Sequence, residues 1–179
     1  EQENISAYTI SKENVHSELG TDFYHGGLVY PDNASLHPAK YHRELIRLSI
    51  ESGCKLVSHC RALKVNQSSQ QFIVTTSKGK ILADKLAIAT NGYTSTLTPW
   101  LRRRIIPIGS YIIATQALDP DLMDELFPTN RMITDSRKVV YYYRPSPDRT
   151  RILFGGRVSA QETDPSISGP KLRDDLVRL

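Results

Sequence analysis

Ala83-Asp84-Lys85-Leu86-Ala87-Ile88-Ala89-Thr90-Asn91-Gly92-Tyr93 reads as a short apolar strand that stops at a turn. Leu86 to Ala89 is apolar without alternation, the pattern of a strand buried on both faces. Asn91-Gly92 is a strong turn signal. A buried strand ending in small polar residues and glycine lets the backbone approach a ligand at the carboxyl edge of a sheet. Taken alone, the same residues also make an ordinary strand-to-loop exit.

Working outward, Phe72–Thr76 and Lys80–Asp84 flank Ser77-Lys78-Gly79 and predict a β-hairpin. Upstream, Pro38 opens and Gly53 closes a helix with Leu45, Leu48 and neighbouring isoleucines on one side. Lys55–Val65 follows as a strand, with Cys60 inside it, and Asn66–Gln71 as a turn. Ser11–Leu19 is a short helix capped by Ser11 and ended by Gly20, and Phe23–Tyr30 is a strand whose Gly26-Gly27 suggests a bulge or a close backbone approach.

Downstream the pattern changes. Ile105–Leu118 predicts a long strand, and Asp121–Leu126 a short helix between Pro120 and Pro128. Val139–Arg144 and Arg151–Gly156 are strands around Pro145-Ser146-Pro147-Asp148. The last ten residues read as a helix with Pro170 in its first turn and Leu172, Leu176 and Leu179 on one face. It stops without a cap, so an excised piece of a longer protein is expected. The internal boundary falls near Thr98–Arg104, and the fold class is α+β.

Composition narrows the function. The 179 residues suit one sizeable domain or parts of two, with 39% hydrophobic and 23% charged residues. No 18-residue apolar run is present, and the N-terminus has no apolar signal core. The net charge of +4 is mild and scattered apart from Arg102-Arg103-Arg104, which reads as a solvated loop; this argues against nucleic acid. Cys54 and Cys60 are not spaced as CxxC, and no histidine pair has HxxxH spacing, which argues against a metal site. Two reduced thiols fit a cytoplasmic protein.

Gly53–Val57 through Ala62, then Val74–Gly79, then Ala83–Tyr93 together resemble the middle of the D-amino-acid oxidase superfamily of FAD-dependent oxidoreductases, which includes glycine oxidase and sarcosine oxidase. Leu36–Tyr41, Ala89–Thr94, Arg104–Thr115 and Tyr143–Arg157 are similar to its gamma-glutamylputrescine oxidase-like branch. Each motif is moderately specific; their order over nearly the whole chain is more so. The resemblance implies residues 1–103 as a partial FAD-binding α/β domain with the first segment of the substrate domain, and 104–179 as part of a mainly antiparallel substrate-domain sheet with flanking helices. It implies FAD contacts at Ala62 (adenine end) and at Thr90, Asn91 and Gly92, and places Tyr111, Tyr143 and Arg144 at a substrate cavity for a small amine or amino acid. Consecutive Tyr141-Tyr142-Tyr143 alternate faces on a strand, so one or two can line a cavity and the rest pack. Arg144 reads equally as a surface or salt-bridging residue and as a fork for a substrate carboxylate.

The family anchors the FAD pyrophosphate on a G-x-G-x-x-G loop at a helix N-terminus. This sequence has no G-x-G, and Gly26-Gly27 and Gly155-Gly156 lack the third glycine. The isolated chain is therefore expected to be inactive and not to retain FAD, and its uncovered sheet edges to self-associate. In the parent, the resemblance implies oxidation of a C–N bond, a hydride equivalent passing from the amine carbon to the flavin before the imine hydrolyses; no catalytic base is apparent. A non-catalytic small-molecule module and a quinone-linked amino-acid dehydrogenase relative are the alternatives.

Overall fold

A computed structural model describes residues 5–68, 70–159 and 165–179. In chain order the elements are β1 (Tyr8–Ser11), β2 (Gly26–Val29), α1 (Pro38–Glu51), β3 (Ala62–Gln67), β4 (Phe72–Thr76), β5 (Gly79–Ala83), α2 (Pro99–Arg102), β6 (Gly109–Ala114), α3 (Pro120–Leu126), β7 (Ile133–Thr134), β8 (Tyr142–Pro145), β9 (Ile152–Ser159) and α4 (Pro165–Val177). Two 3-10 segments, Lys12–Ser17 and Asn91–Tyr93, complete them. The described strands pair antiparallel in sheets ordered β1-β2, β3-β4-β5 and β6-β9-β8-β7. The α+β class stands.

The chain forms two compact units, residues 1–38 with 109–179, and residues 39–108. The described N-terminal residues up to Pro38 thus group with the C-terminal half. The physical reason lies at Gly20. Its N–H donates to the Leu126 carbonyl at 3.0 Å, and a Cβ there would overlap the Glu125 carbonyl group. A contact this close needs glycine and fastens the N-terminal segment to the end of α3.

In the first unit the core is built on β9. Phe154 and Leu172 have no exposed surface, and Met123 and Phe127 are almost as deeply buried. Burial alternates along β6, with Tyr111 and Ile113 inward and Ser110, Ile112 and Ala114 outward, as period-two geometry requires. Leu172 and Leu176 on α4 and Leu179 just past its end all reach this core, as their spacing predicts. The helix itself opens at Pro165, so Pro170 lies inside it and removes one i→i−4 hydrogen bond instead of occupying the first turn. At α3, the Asp119 carboxylate accepts from the Asp121 N–H at 2.9 Å, ahead of a permitted Pro120. Ser11 precedes a 3-10 turn, not an α-helix, and its side chain makes no capping bond.

In the second unit, α1 ends as its glycine predicts. Gly53 adopts φ +89, its N–H donates to the Ile50 carbonyl at 2.9 Å, and the Cys54 N–H reaches the Ser49 carbonyl at 3.0 Å. The hairpin is formed by β4 and β5, with Thr76 opposite Gly79 and the Thr76 hydroxyl donating to the Gly79 carbonyl at 2.8 Å. Three expectations change. The strand expected at Lys55–Val65 is confined to Ala62–Gln67, leaving Cys60 before it. The long strand expected from Ile105 is Gly109–Ala114. Lys85–Thr90 is not a strand and is mostly exposed. Its apolar composition suits burial, but no described strand offers it a ladder, and an unpaired apolar run has no backbone partner to hold it extended.

Gly20→Ala is expected to destabilise the protein by about 1–3 kcal/mol through overpacking. Urea or thermal unfolding checks this, and an unchanged midpoint would show that the contact with α3 is dispensable.

Candidate functional site

The four-stranded sheet has two unlike faces. Register sets Tyr142 opposite Gly155 and Ile112, and Tyr143 opposite Phe154 and Ile113. Tyr143 therefore faces the core, where it is buried against Phe127 and Phe154. Its hydroxyl donates to Tyr24 Oη at 2.9 Å. Burial, reinforced by the Tyr24 hydrogen bond, pushes the Tyr143 phenol far above its ordinary range, so it remains neutral. Burial also raises Tyr24. Tyr111 is half-buried and packs against the same core.

Arg144 projects from the other face, together with Tyr142. Two residues apart on one strand, they point the same way. Ser110 and Tyr142 join hydroxyls at 2.6 Å on that face, and Ile112 beside them is 63% exposed. Arg144 is half-buried, and among the described residues no carboxylate or carbonyl pairs with its guanidinium. Other arginines of this unit are engaged: Arg149 with Asp124 at 2.5 Å, Arg131 with Glu18 at 2.5 Å, and Arg151 with the Thr115 carbonyl at 2.6 Å. The open face thus holds a guanidinium, a phenol tied to a serine, and an apolar side chain; the guanidinium and phenol can bind an anionic group beside a hydrocarbon. The predicted trio is divided: Arg144 lies on the open face, and Tyr111 and Tyr143 lie behind it. Tyr142 and Ser110 were not singled out from the sequence. The signal for Tyr142 was the alternation itself, once Tyr143 is known to be core.

The second unit holds the residues expected at a nucleotide. Ala62 opens β3 opposite Thr76 and is half-buried. Thr90, Asn91 and Gly92 are exposed at a turn where Asn91 takes φ +46. Within this turn the Gly92 N–H donates to Asn91 Oδ1 at 2.8 Å, and the Thr90 and Thr94 hydroxyls bond at 2.8 Å. No hydrogen bond joins Ala62 to the turn. Hydroxyl and carbonyl groups here can meet a ribose or a ring edge, but the one glycine amide is already satisfied. These residues do not compose a pyrophosphate cradle, since no glycine loop leads into a helix N-terminus.

A cavity of about 700 Å³ lies in the first unit between the β2 region and residues 129–136, and none of the predicted site residues lines it. Its wall carries Glu18, which accepts from Arg131 Nε at 2.5 Å, Thr129 Oγ1 at 2.8 Å and Tyr8 Oη at 2.8 Å. Burial alone would raise the Glu18 carboxyl, but the Arg131 guanidinium and the two hydroxyls outweigh it and hold it below its usual value. Asp135 is the other acid of the wall, with 4% of its side chain exposed. Its Oδ1 accepts from the Tyr141 N–H at 2.9 Å, while Oδ2 lies 3.2 Å from Arg137 Nε, an ion pair without hydrogen-bond alignment. The Arg137 guanidinium in turn stacks over Tyr141 and Phe23, at 4.7 and 5.0 Å from the ring centres. This wall is a closed set of paired charges. Among the described residues there is no cluster of metal-ligating side chains and no helix long and apolar enough to cross a membrane.

The sequence matches a family described as DAO, FAD dependent oxidoreductase, over residues 1–178. It is 35% identical over 170 residues to a probable oxidoreductase OrdL of Rhizobium meliloti, covering 95% of this chain and 39% of that protein. It is 30% identical over 169 residues to the gamma-glutamylputrescine oxidoreductase of Escherichia coli, covering 92% and 37%. The fold is similar to that of glycine oxidase from Geobacillus kaustophilus, with a TM-score of 0.67 and 16% identity over 90% of this chain and 42% of that one. It is also similar to NikD, an unusual amino acid oxidase, with a TM-score of 0.63 and 16% identity over 89% and 43%. The chain thus spans about two fifths of the length of the curated relatives it matches.

Because the Glu18 carboxyl is lowered in the folded protein, its contribution to stability is present above the ordinary carboxylate value and is lost as pH falls through the folded one. Glu18→Gln should lower the unfolding midpoint at neutral pH. Between about pH 5 and pH 3 the variant should then lose less further stability than the unsubstituted protein. Parallel acid titrations of the two proteins would not support this assignment.

Proposed function

The chain belongs to the FAD-dependent oxidoreductase family, and from that premise we propose that the full-length protein oxidises the C–N bond of an amine or amino acid that carries a carboxylate. One observation carries this reading: half-buried Arg144 on the open sheet face, its guanidinium unpaired among the described residues, with the Tyr142 phenol on the same side. A planar fork suits a carboxylate, and a carboxylate held at one end fixes where the amine end lies. Tyr111 and Tyr143 serve the substrate from behind, by packing the sheet whose other face binds it.

FAD supplies the two-electron acceptor for the C–N oxidation, and the imine product then hydrolyses. Thr90, Asn91 and Gly92, exposed at their turn, would meet this nucleotide, and half-buried Ala62 would lie at its adenine end; residues 39–103 would belong to the FAD-binding domain and residues 104–179 to the substrate domain. The pyrophosphate cradle is not made by these residues, so the chain on its own does not retain FAD or turn over substrate, and its open edges favour self-association. Similarity to the gamma-glutamylputrescine oxidoreductase supports a gamma-glutamyl amine, which carries both the amine and the carboxylate. The reading places the protein in the cytoplasm.

Full-length protein should be yellow, and anaerobic addition of a carboxylate-bearing amine should bleach the flavin band. Arg144→Leu should raise KM for that amine by roughly 10- to 100-fold, the worth of a charged hydrogen bond. It should leave KM for an amine without a carboxylate within about twofold, since no such bond is lost. Loss of discrimination in neither direction would remove Arg144 from the site, and absence of any amine-driven bleaching would defeat the reading. The chain alone, mixed with FAD and dialysed, should emerge colourless.

A further inference from the structure

The open face of the sheet contains an arrangement that reaches across three strands. Tyr142 stands on β8 and Ser110 on β6, and β9 lies between them. The two side chains nevertheless share a 2.6 Å hydrogen bond. The phenol ring can bridge only by lying flat over β9, and the residue beneath it is Gly155. A Cβ on Gly155 would overlap the ring, with Tyr142 Cδ2 only 2.8 Å away among still closer atoms. Register is also adjusted at the other end. The β6–β9 pairing shifts between Ser110 and Tyr111, so that Ser110 stands opposite Val158 while Tyr111 stands opposite Gly156. Irregularities of this kind re-aim side chains, and here the re-aimed group is the hydroxyl that the phenol meets.

We infer that Ser110 is a positioning residue that pins the Tyr142 phenol across Gly155, so that Tyr142 and Arg144 grip the substrate carboxylate together and set specificity for it. This rests on the function proposed above. A free tyrosine on an open sheet face samples several rotamers; one tied to a neighbouring strand presents its oxygen in one place. With the Ser110 hydroxyl donating, the phenol O–H is left to donate to an anion. Arg144, two residues along β8, supplies the charge on the same side. The phenol alone is a weak anion ligand, and the guanidinium alone leaves the anion free to swing. Together they define both the position and the orientation of a carboxylate.

The test uses the full-length flavoprotein with a carboxylate-bearing amine and an analogue lacking the carboxylate. Ser110→Ala should raise KM for the first by roughly 3- to 10-fold, as expected for loss of a neutral hydrogen bond. It should leave kcat, the thermal midpoint and KM for the analogue unchanged. Ser110→Thr keeps the hydroxyl and should restore KM to within about twofold, because the bond is regained. Tyr142→Phe should cost at least as much as Ser110→Ala, and the double variant no more than Tyr142→Phe alone, because the serine acts only through the phenol. An unchanged KM in Ser110→Ala would overturn the inference. So would an equal rise for both substrates accompanied by a lower thermal midpoint, the pattern of a merely structural bond, or additive losses in the double variant. If the unsubstituted protein oxidises neither amine, the functional reading itself fails. That outcome differs from an active protein indifferent to Ser110.

Discussion

Phe154 occupies the middle of β9, the strand bonded on both sides within the four-stranded sheet, and it has no exposed surface. Its ring lies 5.2 Å from Tyr141 and 5.6 Å from Tyr143, and Tyr143 meets Phe127 edge-on at 6.1 Å. Aromatic side chains of this size dominate a small core, and their burial fixes which way the sheet faces. Once Phe154 and Tyr143 point inward, alternation sends Gly155, Tyr142 and Arg144 outward. A slip of one residue between β8 and β9 would bury the guanidinium and expose two aromatic rings. The geometry of the candidate site is therefore a consequence of core packing on the opposite face, with no element dedicated to it.

The adjacent glycines of β9 serve the two faces in turn. Gly155 leaves room for the Tyr142 ring on the open side. Gly156 does the same on the packed side, where a Cβ would fall 2.5 Å from Tyr141 Cδ1 and 3.5 Å from Leu172 Cδ2. Glycine in a strand interior ordinarily weakens it, by entropy and by lost packing. Here each missing side chain is replaced by a tyrosine ring laid against the backbone, so the strand is covered without carrying side chains of its own. In the sequence this pair appears only as glycines lacking the third member of a phosphate loop. Their role is legible only when the neighbouring strands are in place.

What could be read in advance was local. The hairpin around Ser77-Lys78, the Pro38-to-Gly53 helix and the leucine face of the last helix each depend on residues within a few positions of one another, and each is found. The family was legible for a related reason: the order of motifs survives even where each is weak. What could not be read depends on partners distant in sequence. Gly20 reads in sequence as a helix end, but its requirement for glycine comes from a carbonyl at position 125. A run of three tyrosines does not say whether Tyr142 or Tyr143 takes the inner face. The choice belongs to Phe154 and Phe127, which the run itself does not contain.

Lys85–Thr90 shows the same dependence in a stronger form. Its apolar run has the composition of a strand buried on both sides, but in the described structure Ile88 is 42% exposed. On β5, successive residues Ile81 and Leu82 are 51% and 64% exposed. Successive residues point to opposite faces, so neither face of that strand is covered. On α1, Leu45 and Leu48 are likewise open, and a 14-residue helix gains little from propensity alone. Apolar area on a sheet, a helix and an unpaired run in one unit is more than isolated surface residues account for. The curated relatives are more than twice as long as this chain. A strand is a property of a pair. The sequence at 85–90 specifies one partner, and pairing with another edge would convert it from an exposed run into the buried strand its composition describes.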